Sequence, residues 1–261
     1  MNGRALVWKA FAALCYLFLF APLFAIAIAS INPAGLTFPP TGVTAEWYVA
    51  AFTDDRLVSA ATVSLVVAVA TTAVTLPLVV LMGLALRDED VPGSTAIENF
   101  FLAPLSVPQV VLGLALLIYF IEFGVQGTVV GLVLGHLVIT LPYALRTVLA
   151  ALKGFDPSME EAARNLGASR VETVRYVTLP QIRSALIAGG GFAFIMSLTN
   201  FTISVFLVGP GTTTLPIQIY QYITFDIDPA VSAVATVLAL ASLAVVALIE
   251  LTFGVEEMSE V

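Results

Sequence analysis

The sequence predicts an all-α membrane protein with six transmembrane helices, and three observations carry that prediction. The chain has 261 residues, 59% apolar and only 11% charged, where a soluble domain carries about 25% charged residues. Its mean hydropathy is +1.02. The few charges are segregated: residues 10–45, 57–86, 99–121, 184–225 and 229–249 contain no Asp, Glu, Lys or Arg, and residues 123–145 add only His136. A helix needs about 20 apolar residues to cross the hydrocarbon, which places spans near 7–31, 59–86, 100–121, 127–150, 185–208 and 231–253. The ten-residue alternation of a membrane barrel is absent.

The first span follows Arg4 and Lys9 and so resembles a secretory leader. Its apolar run is long for one, and its removal would invert the charge bias of the rest, so it reads as a retained helix. Loop 32–58 is broken by Pro33, Gly35, Pro39, Pro40 and Gly42. Its Glu46-Trp47-Tyr48 stretch suits a membrane interface, where aromatic rings with a polar edge are favoured. Spans two and three are joined by a short loop that breaks at Pro92-Gly93, spans three and four by a tight hairpin at 122–126. Pro77, Pro104, Pro108 and Pro142 lie in or beside spans, where neighbouring helices tolerate them as kinks. After span five, GPGTTTLPIQIYQYITFDIDP reads as a turn and a short helix before span six.

With the N-terminus inside, every basic residue except Arg56 falls in a cytoplasmic segment, the bias expected of a membrane protein. An even number of spans then puts the tail VEEMSEV inside as well. No repeat or low-complexity tract divides the chain, so it reads as one transmembrane domain, 1–261, with a cytoplasmic loop at 151–183. A single cysteine, Cys15, excludes an internal disulfide. The net charge of −8 is spread over short loops, and no basic patch invites nucleic acid.

The cytoplasmic loop is the one long polar stretch with helix-forming residues. Asp156 before Pro157 suits an N-cap with proline at the first helical position, and Ser158 with Glu161 offers a competing capping box. In the helix that follows, Met159, Ala162, Ala163 and Leu166 share one face, and Glu160, Glu161, Arg164 and Asn165 the other. Gly167 ends it. A second helix from about Ser169 to Thr178 is expected to close at Leu179-Pro180. Pattern alone leaves two readings open: a helix that covers the inner ends of the spans, or a docking device.

Resemblance separates them. Glu161-Ala162-Ala163, three residues, Gly167, nine residues, Val177, one residue and Leu179-Pro180 resemble the EAA loop of binding-protein-dependent ABC import permeases, with Val177 where the family usually has Ile. PQVVLGLALL, GHLVITLPYALR, LKGFDPSMEEAARNLGAS and LVGPGTTTLPIQIYQYI resemble stretches of the spermidine/putrescine permease subfamily, its second subunit above all, and the likeness covers nearly all of the chain after Ser59. The resemblance implies that Glu161, Ala162, Ala163 and Gly167, with neighbouring Glu160, Val177, Leu179 and Pro180, seat the loop in a separate ATPase. It implies as partners two ABC ATPase subunits carrying ATP and magnesium, a second permease subunit homologous or identical to this one, and an extracellular or periplasmic substrate-binding protein.

The chemistry of hydrolysis is not visible in the chain itself. Neither Lys9 nor Lys153 sits in a G-x-x-x-x-G-K-[ST] loop, and no nucleophile elbow or zinc-binding helix motif appears. The expected protein is a transport subunit, not an enzyme, without a metal or cofactor of its own. A stand-alone carrier or channel is the alternative; such folds use mid-membrane ionisable residues and inverted repeats, and neither is seen.

For the translocation pathway the candidates are Gln109, His136, Thr199, Asn200 and Thr202. His136 is open to two readings: a functional group in the membrane or a hydrogen bond between helices. Polyamine permeases tend to carry acids at the positions of Gln109, Thr199 and Asn200; here all three are neutral, which leaves the solute open between a polyamine-like cation and another small molecule. The turn Gly209, Pro210, Gly211 is the candidate contact for the receptor.

Overall fold

The structure, a computed structural model, describes residues 3–87, 92–226 and 228–253. The expected inner tail at 255–261 and the side chain of Arg4 lie outside these residues. Helices make up almost all of it: α1 (Gly3–Ser30), α2 (Glu46–Thr53), α3 (Asp55–Leu86), α4 (Ser94–Leu102), α5 (Gln109–Glu122), α6 (Val129–Lys153), α7 (Ser158–Asn165), α8 (Arg170–Thr173), α9 (Leu179–Gln181), α10 (Arg183–Leu198), α11 (Ser204–Leu207), α12 (Leu215–Gln221) and α13 (Ala230–Phe253). No strand occurs among the described residues.

Among the described residues, four helices are each long and apolar enough to cross a bilayer: Val7–Ser30, Asp55–Leu86, Val129–Lys153 and Ala230–Leu248. Two bent pairs bring the spans to six when each pair is counted once. Two expected spans are therefore corrected in form. The span at 100–121 is not one straight helix: α4 starts at Ser94, and a 104° bend separates Ser94–Ser106 from α5. Pro108 has no N–H for a helical bond and pushes Val107 into extended backbone (φ −98°, ψ 132°). The span at 185–208 likewise stops at Leu198 and resumes as the single turn α11. There the Asn200 side-chain oxygen accepts from the Ile203 N–H at 2.8 Å, a local bond that competes with a continuous helix.

By contrast Pro22, Pro77 and Pro142 lie inside continuous helices. The expected stop at Leu179-Pro180 also moves. The helix from Arg170 runs on through a π turn (Val174–Thr178) and α9, and breaks only at Ile182, where the chain bends 72° into α10. The wide π turn opens the region into which the Pro180 ring would otherwise press.

The described chain divides into two compact units. In the first, residues 1–59 with 218–243, the loop after α1 is built around buried Asn32. Its side chain donates to the Gly35 and Thr37 carbonyls and accepts from the Thr41 N–H. Trp47 donates to the Asn32 carbonyl at 2.8 Å, and Tyr48 shares a hydrogen bond with Ser30. Tyr222 donates to Asp54, and Arg56 lies over the Tyr222 ring. The outward face of α1 is aromatic and aliphatic, with Phe18 79% exposed, as suits a helix solvated by lipid.

The second unit, residues 60–217 with 244–261, holds the core. Val67, Phe120, Leu132, Ile139, Ile203 and Leu207 form one buried cluster; Val79, Ala144, Leu145, Val148, Leu152 and Ile182 form another nearer the polar loop. α6 packs along α10, with Gly189 set against the Ala144 backbone. Small residues permit such close approach where lipid supplies no hydrophobic push between helices.

Candidate functional site

The polar loop keeps the expected order of helix, glycine turn and helix, with its capping box and its stop shifted and one acid inverted. The Asp156 carboxylate accepts from the Ser158 N–H at 2.9 Å, so Asp156 caps α7. The capping box falls at Ser169 and Glu172, which open α8, and not at Ser158 and Glu161. Gly167 has φ +96°. Its N–H reaches the Arg164 carbonyl and the Ala168 N–H the Ala163 carbonyl, the paired bonds of a left-handed helix stop.

The inversion concerns Glu160. The helical pattern puts it on the polar outer face, yet it is 3% exposed while Leu166 is 91% exposed. Met159, Glu161 and Ala162 are also exposed, and Ala163 is half-buried. Met159, Ala162 and Leu166 thus lie exposed together with Glu161, Arg164 and Asn165, and of the expected polar face only Glu160 turns in. Arg87, just beyond α3, donates from both guanidinium ends to both Glu160 oxygens at 2.7 Å. Thr178, at the end of the π turn, donates to the same carboxylate, and Arg164 adds a contact at 3.5 Å. The Arg87 hydrogen bonds hold the Glu160 carboxyl below its ordinary value; burial opposes this, and Thr178 and the two cations reinforce it. On the same side of the chain as these groups, Val177 and Leu179 are half-buried and Pro180 is exposed, with Val171 and Tyr176 exposed beside them.

The residues proposed for the pathway divide. His136 is 1% exposed and hydrogen-bonded at both nitrogens: Nδ1 to Ser197 Oγ at 2.7 Å and Nε2 to Ser204 Oγ at 3.0 Å. Ser204 gives its own hydrogen to the Asn200 carbonyl. It must therefore accept from Nε2–H, which leaves Nδ1 to accept from Ser197. Thr140 donates to the His136 carbonyl and is paired with Thr75. A buried polar seam thus joins α3, α6, α10 and α11. His136 and Asn200 both belong to it. Gln109 is half-buried at the start of α5, Thr199 is exposed but turned back onto the Ile195 carbonyl, and Thr202 is half-buried.

In the candidate receptor turn, Pro210 and Gly211 are exposed, whereas Gly209 packs on the α5–α6 hairpin. A Cβ on Gly209 would lie 2.6 Å from Gly127 Cα. Thr212 fastens the contact by donating to the Gly127 carbonyl. Arg87, Thr178 and Ser204 were not singled out by sequence reasoning; the one available sign was a lone arginine closing a long apolar run.

Up to six helical spans among the described residues, with a polar loop and a buried polar seam, define a multi-pass membrane protein. The chain belongs to the family described as Binding-protein-dependent transport system inner membrane component, which matches residues 79–252. It is 31% identical over 246 residues to the spermidine/putrescine transport system permease protein PotC of Escherichia coli K12, covering 94% of this chain and 93% of that one. It is 31% identical over 230 residues to the putrescine permease protein PotI of the same strain, covering 85% and 82%. A shorter match, 32% over 167 residues, covers 58% of this chain and 60% of the sulfate permease protein CysT of Salmonella typhimurium. Among solved structures, a bacterial ABC transporter involved in import of the polysaccharide alginate shares the fold, with a TM-score of 0.77, 16% identity and 96% coverage of both chains. The chain is a homologue of ABC importer permease subunits and a membrane protein of the bacterial inner membrane type.

Proposed function

We propose that this chain forms half of the translocation pathway of an ATP-driven importer and that α7 is the helix by which a separate ATPase drives it. The observation that carries this reading is the exposed apolar side of α7. A short helix outside the spans exposes Met159, Ala162 and Leu166 while Glu160 is buried, and an exposed apolar patch on a polar segment marks a docking surface. Its fixed ends, Asp156 and Gly167, set the angle at which that face is offered. Glu161 stands beside it, free to make a charge-assisted bond to a partner. Both termini and the α7 loop lie on the cytoplasmic side, as the basic residues indicate.

The partners in this reading are two ATPase subunits that carry ATP and magnesium, a second permease subunit and a substrate-binding protein that delivers solute near Pro210 and Gly211. ATP-driven closure of the ATPases moves α7 and shifts the bundle between inward-open and outward-open states. The solute is a small molecule of the kind selected by the receptor. Relatives named for spermidine/putrescine and for putrescine make a polyamine the first candidate, while the neutral Gln109, Thr199 and Asn200 offer no carboxylate to offset the lost hydration of a polycation. The test is purification from membranes that also contain the sister subunits. The ATPase is expected to accompany the wild-type chain and to be lost from Leu166→Asp. Solute uptake by the permease alone in vesicles would refute the reading.

A further inference from the structure

Glu160 and Glu161 are neighbours with opposite aims. Glu161 faces out with the apolar stripe; Glu160 is buried and held by groups from two other elements, Arg87 after α3 and Thr178 in the π turn. The ends of α7 are satisfied without this arrangement, because Asp156 caps one end and Gly167 stops the other. An apolar residue in the same place would pack without the cost of desolvating an acid.

We infer that Glu160 is the clasp that carries displacement of α7 into the bundle, by Arg87 to the inner end of α3 and by Thr178 to the segment leading into α10. The inference rests on the coupling role proposed for α7. A bidentate charge pair of this geometry resists separation, since parting the two groups would leave the buried carboxylate with only the longer Arg164 contact and the Thr178 hydroxyl. α7 and the end of α3 therefore move as one piece. The second attachment falls on the last residue of a π turn, just before the 72° bend at Ile182. A displacement at Thr178 there turns the joint ahead of α10, and α10 lies along α6. Glu160 is a positioning residue: it touches neither solute nor nucleotide.

The test uses the complex with its ATPase and sister permease, in a Cys15→Ser background because Cys15 is exposed. A reporter thiol at Ala85→Cys, an exposed site at the inner end of α3, is alkylated with a maleimide, with and without ATP and vanadate. In the otherwise wild-type complex the labelling rate is expected to change several-fold with nucleotide. In Glu160→Gln the ATPase still co-purifies and the rate no longer responds. Thr178→Val, a milder change, gives an intermediate response. Arg87→Gln combined with Glu160→Gln removes both charges of the pair; it regains thermal stability without regaining the response, which separates coupling from folding. A nucleotide response that persists in Glu160→Gln, or one that returns with stability in the double variant, overturns the clasp. So does a wild-type complex whose Ala85→Cys rate ignores nucleotide, or a Glu160→Gln chain that sheds the ATPase. Failure of the ATPase to accompany even the parent chain overturns the coupling role itself.

Discussion

Replacing His136 by leucine separates a structural group from a transport group. The imidazole bonds Ser197 at 2.7 Å and Ser204 at 3.0 Å, and both bonds vanish in His136→Leu. Leucine is of similar bulk, so the space is refilled and the cost is polar. Hydrogen bonds between membrane helices contribute about 0.6 kcal/mol on average and up to about 1.7 each. Ser204 keeps its bond to the Asn200 carbonyl, while Ser197 loses the one partner the structure gives it. The expected loss is therefore about 1–3 kcal/mol, measured by equilibrium unfolding of the purified chain in mixed micelles. Combined with Ser197→Ala, the effects are expected to be clearly less than additive, since both changes remove the same bond. Uptake by the assembled transporter should fall only in proportion to the folded fraction. A variant as stable as wild type that no longer transports would show that His136 acts on the solute, and the assignment of the polar seam as structural would be wrong.

Other outcomes follow from the same geometry. Gly167→Ala places a side chain in open space but at φ +96°, a conformation that costs an L-residue about 1–2 kcal/mol. The chain should insert normally while ATPase co-purification weakens, and Gly167→Asp should weaken it further; normal association in both would refute the elbow. Gly209→Ala drives a Cβ to 2.6 Å from Gly127 Cα; it should destabilise the chain by about 1–3 kcal/mol, read by thermal unfolding. Because Arg87 holds the folded-state Glu160 below its ordinary value of 4.5, the clasp stabilises the fold above that value. This contribution is lost as pH falls through the lower folded value. Acid unfolding of Glu160→Gln should lack this component, and an unchanged acid profile would contradict the pairing.

Much of the fold was legible because the bilayer imposes a simple demand. Every backbone group must be satisfied within its own helix, so runs of apolar residues can only be spans. The tight hairpin at 122–126, the Asp156 cap and the Gly167 stop were readable for a similar reason: each answers a local backbone need. The breaks at Pro108 and Asn200 were harder. Pro77 and Pro142 sit in unbroken helices, so proline identity does not decide between a kink and a bend; the packing around it does. The continuation of α8 past Pro180 has the same origin, since it depends on a π turn that no residue pattern announces.

The sequence by itself determined the medium, the positions of the apolar runs and the position of the polar loop, because hydrophobic run length and local caps act within a few residues of one another. Only the tertiary structure decided which way Glu160 points and whether His136 is free. Arg87 is far from Glu160 along the chain, and Ser197 and Ser204 are far from His136, and it is the folding of separate helices against one another that supplies each polar group with its partner and so fixes its role.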